Sequence, residues 1–303
     1  MLQELFYWIF NMSIVAGITT GVIALIRIVK RVPRRMMAIL WIIPALRMVV
    51  PLGLSSPYSL MSMLSRITTK TVVVYQPSQD VSFSMMNMTM AANSYFPITY
   101  KTNILHDVFA TASIVWIIVV LAILLLLAVL YVTTLRELKD SKHLRENIYL
   151  SEKVISPAVY GIIRPRIVLP ITWADRDLDL VLLHEQTHIR RGDNLWRMLA
   201  FVIVALHWFN PVAWIFLKLL LTDLELACDE GVLVKLGPDR RKEYALSLLD
   251  SKSGTNVFAS AFGGAKIRTR IETILSYRKM TWISLAAFAG LTFAISYVLL
   301  TNA

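Results

Sequence analysis

The chain has 303 residues, 56% of them apolar and only 17% charged, and a formal net charge of +11. Apolar content above about 45–50% and charge below about 25% exclude a disordered chain and argue against a wholly soluble one. A single cysteine, Cys228, excludes an internal disulfide framework and a multi-cysteine metal knuckle.

In chain order, uncharged runs of about 20 residues are long enough to cross about 30 Å of hydrocarbon. The first is 5–26. It lacks a basic leader region and is followed by basic residues, so it reads as a span and not as a cleaved signal peptide. A turn with Arg27, Lys30, Arg31, Arg34 and Arg35 and no acid leads into a second span at 36–54, which contains Pro44, Arg47 and Pro51. The loop 53–103 carries only Arg66, Lys70 and Lys101 against Asp80. The positive-inside rule puts the basic turn in the cytoplasm, the N-terminus outside and the 53–103 loop outside. Six methionines in that loop (Met61, Met63, Met85, Met86, Met88 and Met90) are soft enough to bind Cu(I), but a loop lying on the membrane explains them as well. The third span is 108–132, and a fourth, 281–303, returns the C-terminus outside. Segment 1–133 is thus a three-span unit, and 134–280 is a cytoplasmic domain holding most of the charged residues. The basic balance follows from topology and membrane lipids, with no direct nucleic-acid partner.

Within the cytoplasmic domain, Val154–Pro170 reads as two β-rich runs around Arg164-Pro165, a hairpin whose prolines suit an edge strand. Thr172 looks like a helix N-cap with Asp175 as its reciprocal partner, and the helix runs to Arg191 and stops at Gly192. It carries His184-Glu185-Gln186-Thr187-His188. Residues i and i+4 share a helix face, so both imidazoles can reach one Zn²⁺, and Glu185 can address a water without ligating the metal. A catalytic zinc wants a third protein ligand. Asn210-Pro211 predicts the start of a helix running to about Leu236, before Gly237-Pro238. On it Glu225 can ligate, while Asp229, one turn on, can hydrogen-bond the far nitrogen of a ligand histidine. His207 and Cys228 are the other candidates, read as packing residues. For His184 and Glu225 to share an ion, the apolar stretch 198–221 cannot cross the bilayer. It must be a re-entrant or interfacial helical hairpin turning near His207–Pro211.

SPAVYGIIRPRIVLP, HEQTHIRRGD, HWFNPVAW and LELACDEGVL occur in that order within Ser156–Leu233. With the span pattern, they resemble the antirepressor metallopeptidases, the BlaR/MecR type of beta-lactam sensor-transducer. The resemblance implies a mainly α membrane protein of the bacterial plasma membrane, with four transmembrane helices and a cytoplasmic gluzincin-like α+β zinc metallopeptidase domain. It implies one Zn²⁺ per chain on His184, His188 and Glu225, Glu185 as the catalytic base and Asp229 behind a ligand. It also implies that the edge strand Ser156, Pro157, Ala158, Val159, Tyr160 and Gly161 binds substrate by strand addition. The implied substrate is a cytoplasmic transcriptional repressor whose loss induces beta-lactam resistance, with self-cleavage within 253–266. A homo-oligomer is left open. Full-length sensors of this type continue into an extracellular penicillin-binding domain, whereas this sequence stops at Ala303. The expectation is therefore a transducer part or a short relative. Ser276-Tyr277-Arg278-Lys279 matches S-x-x-K without its companion motifs, so acylation by a beta-lactam is not expected. Two other readings stand beside the leading one: a non-catalytic zinc-containing receptor subunit and a housekeeping membrane protease.

Overall fold

The computed structural model of the chain describes residues 1–29, 32–50, 56, 58–59, 103–173, 178–237, 239–251, 265–277 and 281–301. The methionine-bearing part of the 53–103 loop, Asp175, Lys279 and nearly all of the 253–266 stretch lie outside these residues. Among the described residues the protein is mostly helical, with one small sheet. Two helices, α1 (Leu2–Ile28) and α4 (Asn103–Glu137), are long and apolar enough, among the described residues, to cross a membrane.

The second expected span is two short helices, α2 (Arg34–Leu40) and α3 (Ile42–Val49). The break at Trp41 has a local cause. Pro44 has no N–H to give the Leu40 carbonyl, so it suits the first turn of a new helix better than the middle of an old one.

The apolar stretch after residue 192 folds back on itself. Helix α6 (Asp193–Leu206) and helix α7 (Pro211–Leu236) are joined at His207–Asn210. Asn210 Oδ1 accepts from the Val212 N–H at 2.9 Å, with Pro211 at the first helical position, as the Asn-Pro pair predicts. The turn is pinned on three sides. Asn210 Nδ2 donates to the Ser13 hydroxyl at 2.7 Å near the middle of α1, His207 Nε2 to the Met48 carbonyl at 2.9 Å, and Trp116 Nε1 of α4 to the Leu206 carbonyl at 2.8 Å. Around it Phe6, Phe10, Phe109, Trp116 and Phe209 form an aromatic cluster.

Helix α7 touches α1, α2, α6 and the helix over Asp179–Arg191 and is the hub of the fold. Its Asp223 is fully buried, holding Arg27 Nε at 2.9 and 3.0 Å and Trp41 Nε1 at 2.8 Å. The final helix, α10 (Trp282–Leu300), is apolar throughout, and buried Arg47 closes its C-terminus by donating to the Leu299 and Thr301 carbonyls at 2.7 and 2.6 Å.

The sheet has the order β1-β2-β4-β3. β1 (Lys142–Arg145) and β2 (Ile148–Ser151) are antiparallel, β4 (Arg166–Pro170) runs parallel to β2, and β3 (Ala158–Tyr160) pairs antiparallel to β4 with Val159 opposite Ile167. The hairpin is as expected, but of its two strands β3 is at the sheet edge and β4 is internal, with Pro165 just before β4 and Pro170 at its last residue. Ser156, Pro157 and Gly161 fall outside the strand proper. Gly161 turns the chain at φ 87°, where an added Cβ would meet the Arg164 carbonyl at 3.0 Å. Ile148, Leu150, Ile167 and Leu169 form the inner face and pack on Leu178, Val181 and Leu182 of the next segment.

That segment leads into α5 (Asp179–Arg191), which starts later than expected. Thr172 does not cap it. Ile171–Trp173 is a separate 3-10 turn, and Leu178 precedes the helix without a side-chain cap. Gly192 ends it in the left-handed conformation at φ 66°. Helices α8 (Arg241–Ser251) and α9 (Ile267–Leu275) close the domain over α7.

Candidate metal centre

Helix α5 presents His184, Glu185 and His188 inward, all buried. The two imidazoles meet edge to face, with Nε2 atoms 3.1 Å apart. A tetrahedral ion with bonds of about 2.0–2.1 Å separates its nitrogens by about 3.3 Å, so the pair is set for one metal.

Each Nδ1 is engaged on the far side, which leaves the two facing Nε2 atoms as the candidates to hold a metal. His188 Nδ1 donates to Asp193 Oδ2 at 2.6 Å, and Asp193, buried at the start of α6, is also held by Arg191 Nε at 3.1 and 3.2 Å. His184 Nδ1 donates to the Tyr244 hydroxyl at 2.8 Å, which in turn donates to Asp229 Oδ1 at 2.7 Å. Asp229 thus stands behind His184, 3.5 Å away, and acts mainly through the Tyr244 hydroxyl. Such partners orient a ligand histidine and raise its basicity.

Two donors compete for third place. Glu225 Oε2 lies 3.8 Å from His188 Nε2 and 4.0 Å from His184 Nε2, while its Oε1 is gripped by Arg197 of α6. Cys228 is fully buried and groups with the two histidines, with ligand atoms within 4.8 Å of one another. Its Sγ, however, faces the His184 Nδ1 at 3.6 Å and the His184 carbonyl at 3.5 Å, the side already engaged. Burial raises the Cys228 pKa and keeps the thiol protonated. Burial also works against a charged Glu225, but His188, Arg197 and Arg270 outweigh it and hold the carboxyl well below the usual range. Glu225 offers an anion and Cys228 does not.

Glu185 is next to this pole. Burial is the main cause that raises its pKa, and Glu225 adds to it against the pull of His188, Arg197 and Arg270. Strand β3 packs against α5, the helix that carries Glu185, and burial, with the Glu185 charge adding to it, raises the Tyr160 phenol on that strand.

Three features escaped sequence reading. Asp193 carried a usable signal, an acid just past the helix-ending Gly192. Arg270 of α9 carried none. It is buried, donates to Asp229 Oδ1 and Oδ2 at 2.7 and 2.8 Å, reaches His184 Nε2 at 3.1 Å and lies 3.4 Å from Glu225 Oε2. Asn194, beside Asp193, donates to the Val159 and Gly161 carbonyls at 3.0 and 3.1 Å. Two acceptors that an added strand would use along 156–161 are therefore already taken. His207, the other candidate ligand, lies in the hairpin turn bonded to Met48 and belongs to packing.

The family model described as BlaR1 peptidase M56 matches residues 7–274. A Staphylococcus aureus protein named methicillin resistance mecR1 protein is 30% identical over 150 residues, 46% of this chain and 25% of its own length. A Bacillus licheniformis protein named regulatory protein BlaR1 is 30% identical over 152 residues, 44% of this chain and 25% of its own length. The alignments therefore span about a quarter of these relatives.

Proposed function

The chain belongs to the BlaR1 peptidase M56 family, and from that premise we propose that it is an integral-membrane zinc endopeptidase of the sensor-transducer type. It transmits a signal by hydrolysing a peptide bond in a cytoplasmic transcriptional repressor, in itself within 253–266, or in both. The outcome is induction of beta-lactam resistance, in keeping with the names of its relatives. In this reading α1, α2–α3, α4 and α10 are four spans of a bacterial plasma membrane with both termini outside. The α6–α7 hairpin dips to the depth of Ser13 and returns, so α5 and the second half of α7 share the cytoplasmic side. The domain is gluzincin-like.

The observation that carries this reading is the meeting of two ligating nitrogens, 3.1 Å apart, with a carboxylate 3.8 Å away and a second, buried carboxyl beside them. His184, His188 and Glu225 would hold one zinc. When bound, zinc supplies the Lewis acidity that makes water a nucleophile at neutral pH. Asp193 and the Tyr244–Asp229 pair keep both imidazoles turned inward. Glu185 takes the proton from the attacking water, and its raised pKa suits handing that proton to the leaving amine. The substrate lies along Ser156–Gly161, held more by side chains than by a full ladder, because Asn194 occupies two of the carbonyls.

Zinc content of the purified chain beside Glu225→Ala and Cys228→Ser variants tests the ligand set. About one zinc per chain, lost in the first variant and kept in the second, is the expected result. Zinc lost in both would mean a closed four-ligand site and favour the non-catalytic receptor reading.

A further inference from the structure

A groove of about 590 Å³ runs between the last turns of α4 and the β3–β4 hairpin. Arg136 in the last turn of α4, Lys139 in the turn just after it, and Arg164 and Arg166 of the hairpin line it, and no carboxylate does. All four are exposed, and none makes an ion pair among the described residues. The other basic cluster behaves differently. At the α1–α2 turn Arg27 and Arg34 share buried Asp223, at 2.9 and 4.0 Å. Arg27 and Arg34 thus have a carboxylate of the fold within 4.0 Å, and the four groove cations have none among the described residues.

The position of the groove narrows the choice of anion. The uncharged run of α4 ends at Leu135, just before Arg136, and the groove begins one turn earlier, at Tyr131 and Val132. Asp107–Glu137 is about 46 Å of helix against about 30 Å of hydrocarbon, so its last turns stand among headgroups if α4 spans the membrane. The upper wall is apolar and continues onto exposed Val129 and Leu125, and Ile163 at the hairpin tip is 92% exposed. Tyrosines at such a boundary and clustered cations just inside a span are the usual setting for acidic lipids.

We propose that this groove binds an anionic phospholipid of the cytoplasmic leaflet. The phosphate sits among Arg136, Lys139, Arg164 and Arg166, and the acyl chains lie along the Leu125–Val129–Val132 face of α4. Guanidinium groups grip phosphate oxygens in a directed, charge-assisted way that a water-filled surface patch lacks. Tyr160 belongs both to this groove and to β3, which packs against the helix that carries Glu185, and Gly161 follows it in the groove wall. A bound headgroup therefore braces the strand along which substrate is proposed to lie. The inference rests on α4 being a span and not on the zinc assignment.

The test uses the whole chain in nanodiscs, with the photoreactive amino acid benzoylphenylalanine in place of Ile163 and radiolabelled phosphatidylglycerol diluted into phosphatidylcholine. Phosphatidylglycerol should be captured well above its share. Capture should fall about fivefold for each cation removed, as in Arg164→Gln and Arg166→Gln. Equal capture of phosphatidylcholine, or capture unchanged in the double variant, would overturn the proposal. Competition by soluble glycerol phosphate as effective as that by lipid would also overturn it, by showing a site for free phosphate esters. Two controls separate the underlying readings. Zinc content of the same sample reports on the metal site, and labelling of Lys142→Cys from one side of sealed vesicles reports on topology.

Discussion

The Arg270 guanidinium stands 3.1 Å from His184 Nε2 while gripping both oxygens of Asp229. A fixed cation thus sits beside the nitrogen proposed to bind another cation. Its loss should act in two directions. Arg270→Gln leaves buried Asp229 without its main partner, and breaking such a pair costs about 3–5 kcal/mol. The same change removes repulsion at the metal pole. The metal-free variant should therefore melt well below the parent, and zinc should raise its melting temperature by more than it raises the parent's. A thermal melt with and without zinc measures both.

Glu185→Gln keeps the shape of the side chain and removes its basicity. Cleavage of a repressor or of the chain itself should fall by about 10²–10⁴. Zinc content and melting temperature should stay near the parent values. A variant that retained cleavage would take the base role away from Glu185.

Asp193 orients His188 through the 2.6 Å bond to Nδ1. Asp193→Ala should weaken zinc affinity by about 10–100-fold, and Asp193→Asn by less, since an amide oxygen still accepts the Nδ1 proton. Competition against a chelating dye gives both numbers. Arg191, which braces Asp193 from outside, should show a smaller effect.

The two histidines titrate in opposite directions. Burial works against a charged His188, but the Cys228 sulfur once ionised, the Glu225 carboxylate and the Asp193 bond outweigh it and raise its pKa well above 6.5. His184 is pushed well below 6.5 by burial, Arg270 and His188. In the metal-free chain charged His188 contributes stability that is complete below about 6.5 and lost as pH rises through its raised value. Zinc requires the neutral ring and so competes with one proton, that of His188. As pH rises from about 6.5 through the raised His188 value, the metal-free chain should lose stability while zinc binds more tightly, so the gap in melting temperature widens. Calorimetry in two buffers should find about one proton released per zinc, and two would mean that His184 is also charged.

Local signals carried far in this chain. Asn210-Pro211 and Gly237 marked the ends of α7, Arg164-Pro165 marked the hairpin, and the need for His184 and Glu225 to meet marked the fold-back at His207–Asn210. What escaped depended on partners distant in sequence. Lys142–Arg145 is exposed at all four residues, so β1 shows no hydrophobic alternation and exists only through its pairing with β2. Arg270 and Tyr244 reach the metal pole from helices that follow α7, and nothing local marks an arginine or a tyrosine for burial there. Strand addition along 156–161 looked open because Asn194, 33 residues from Gly161, could not be placed against it.

Helix α7 runs without interruption from Pro211 in the hairpin turn to Glu225 and Asp229. Pro211 and Glu225 are about 21 Å apart along one rod, with no glycine or proline between them. A stiff rod transmits tilt as a lever does. Ser13, Met48 and Trp116 hold one end, and the Glu225 carboxylate rides on the other. A small shift of α1, α3 or α4 at the turn would therefore displace the carboxylate proposed as a ligand, with no messenger in between. A pair of glycines placed midway, at Leu217 and Lys218, would cut that linkage and leave both ends intact.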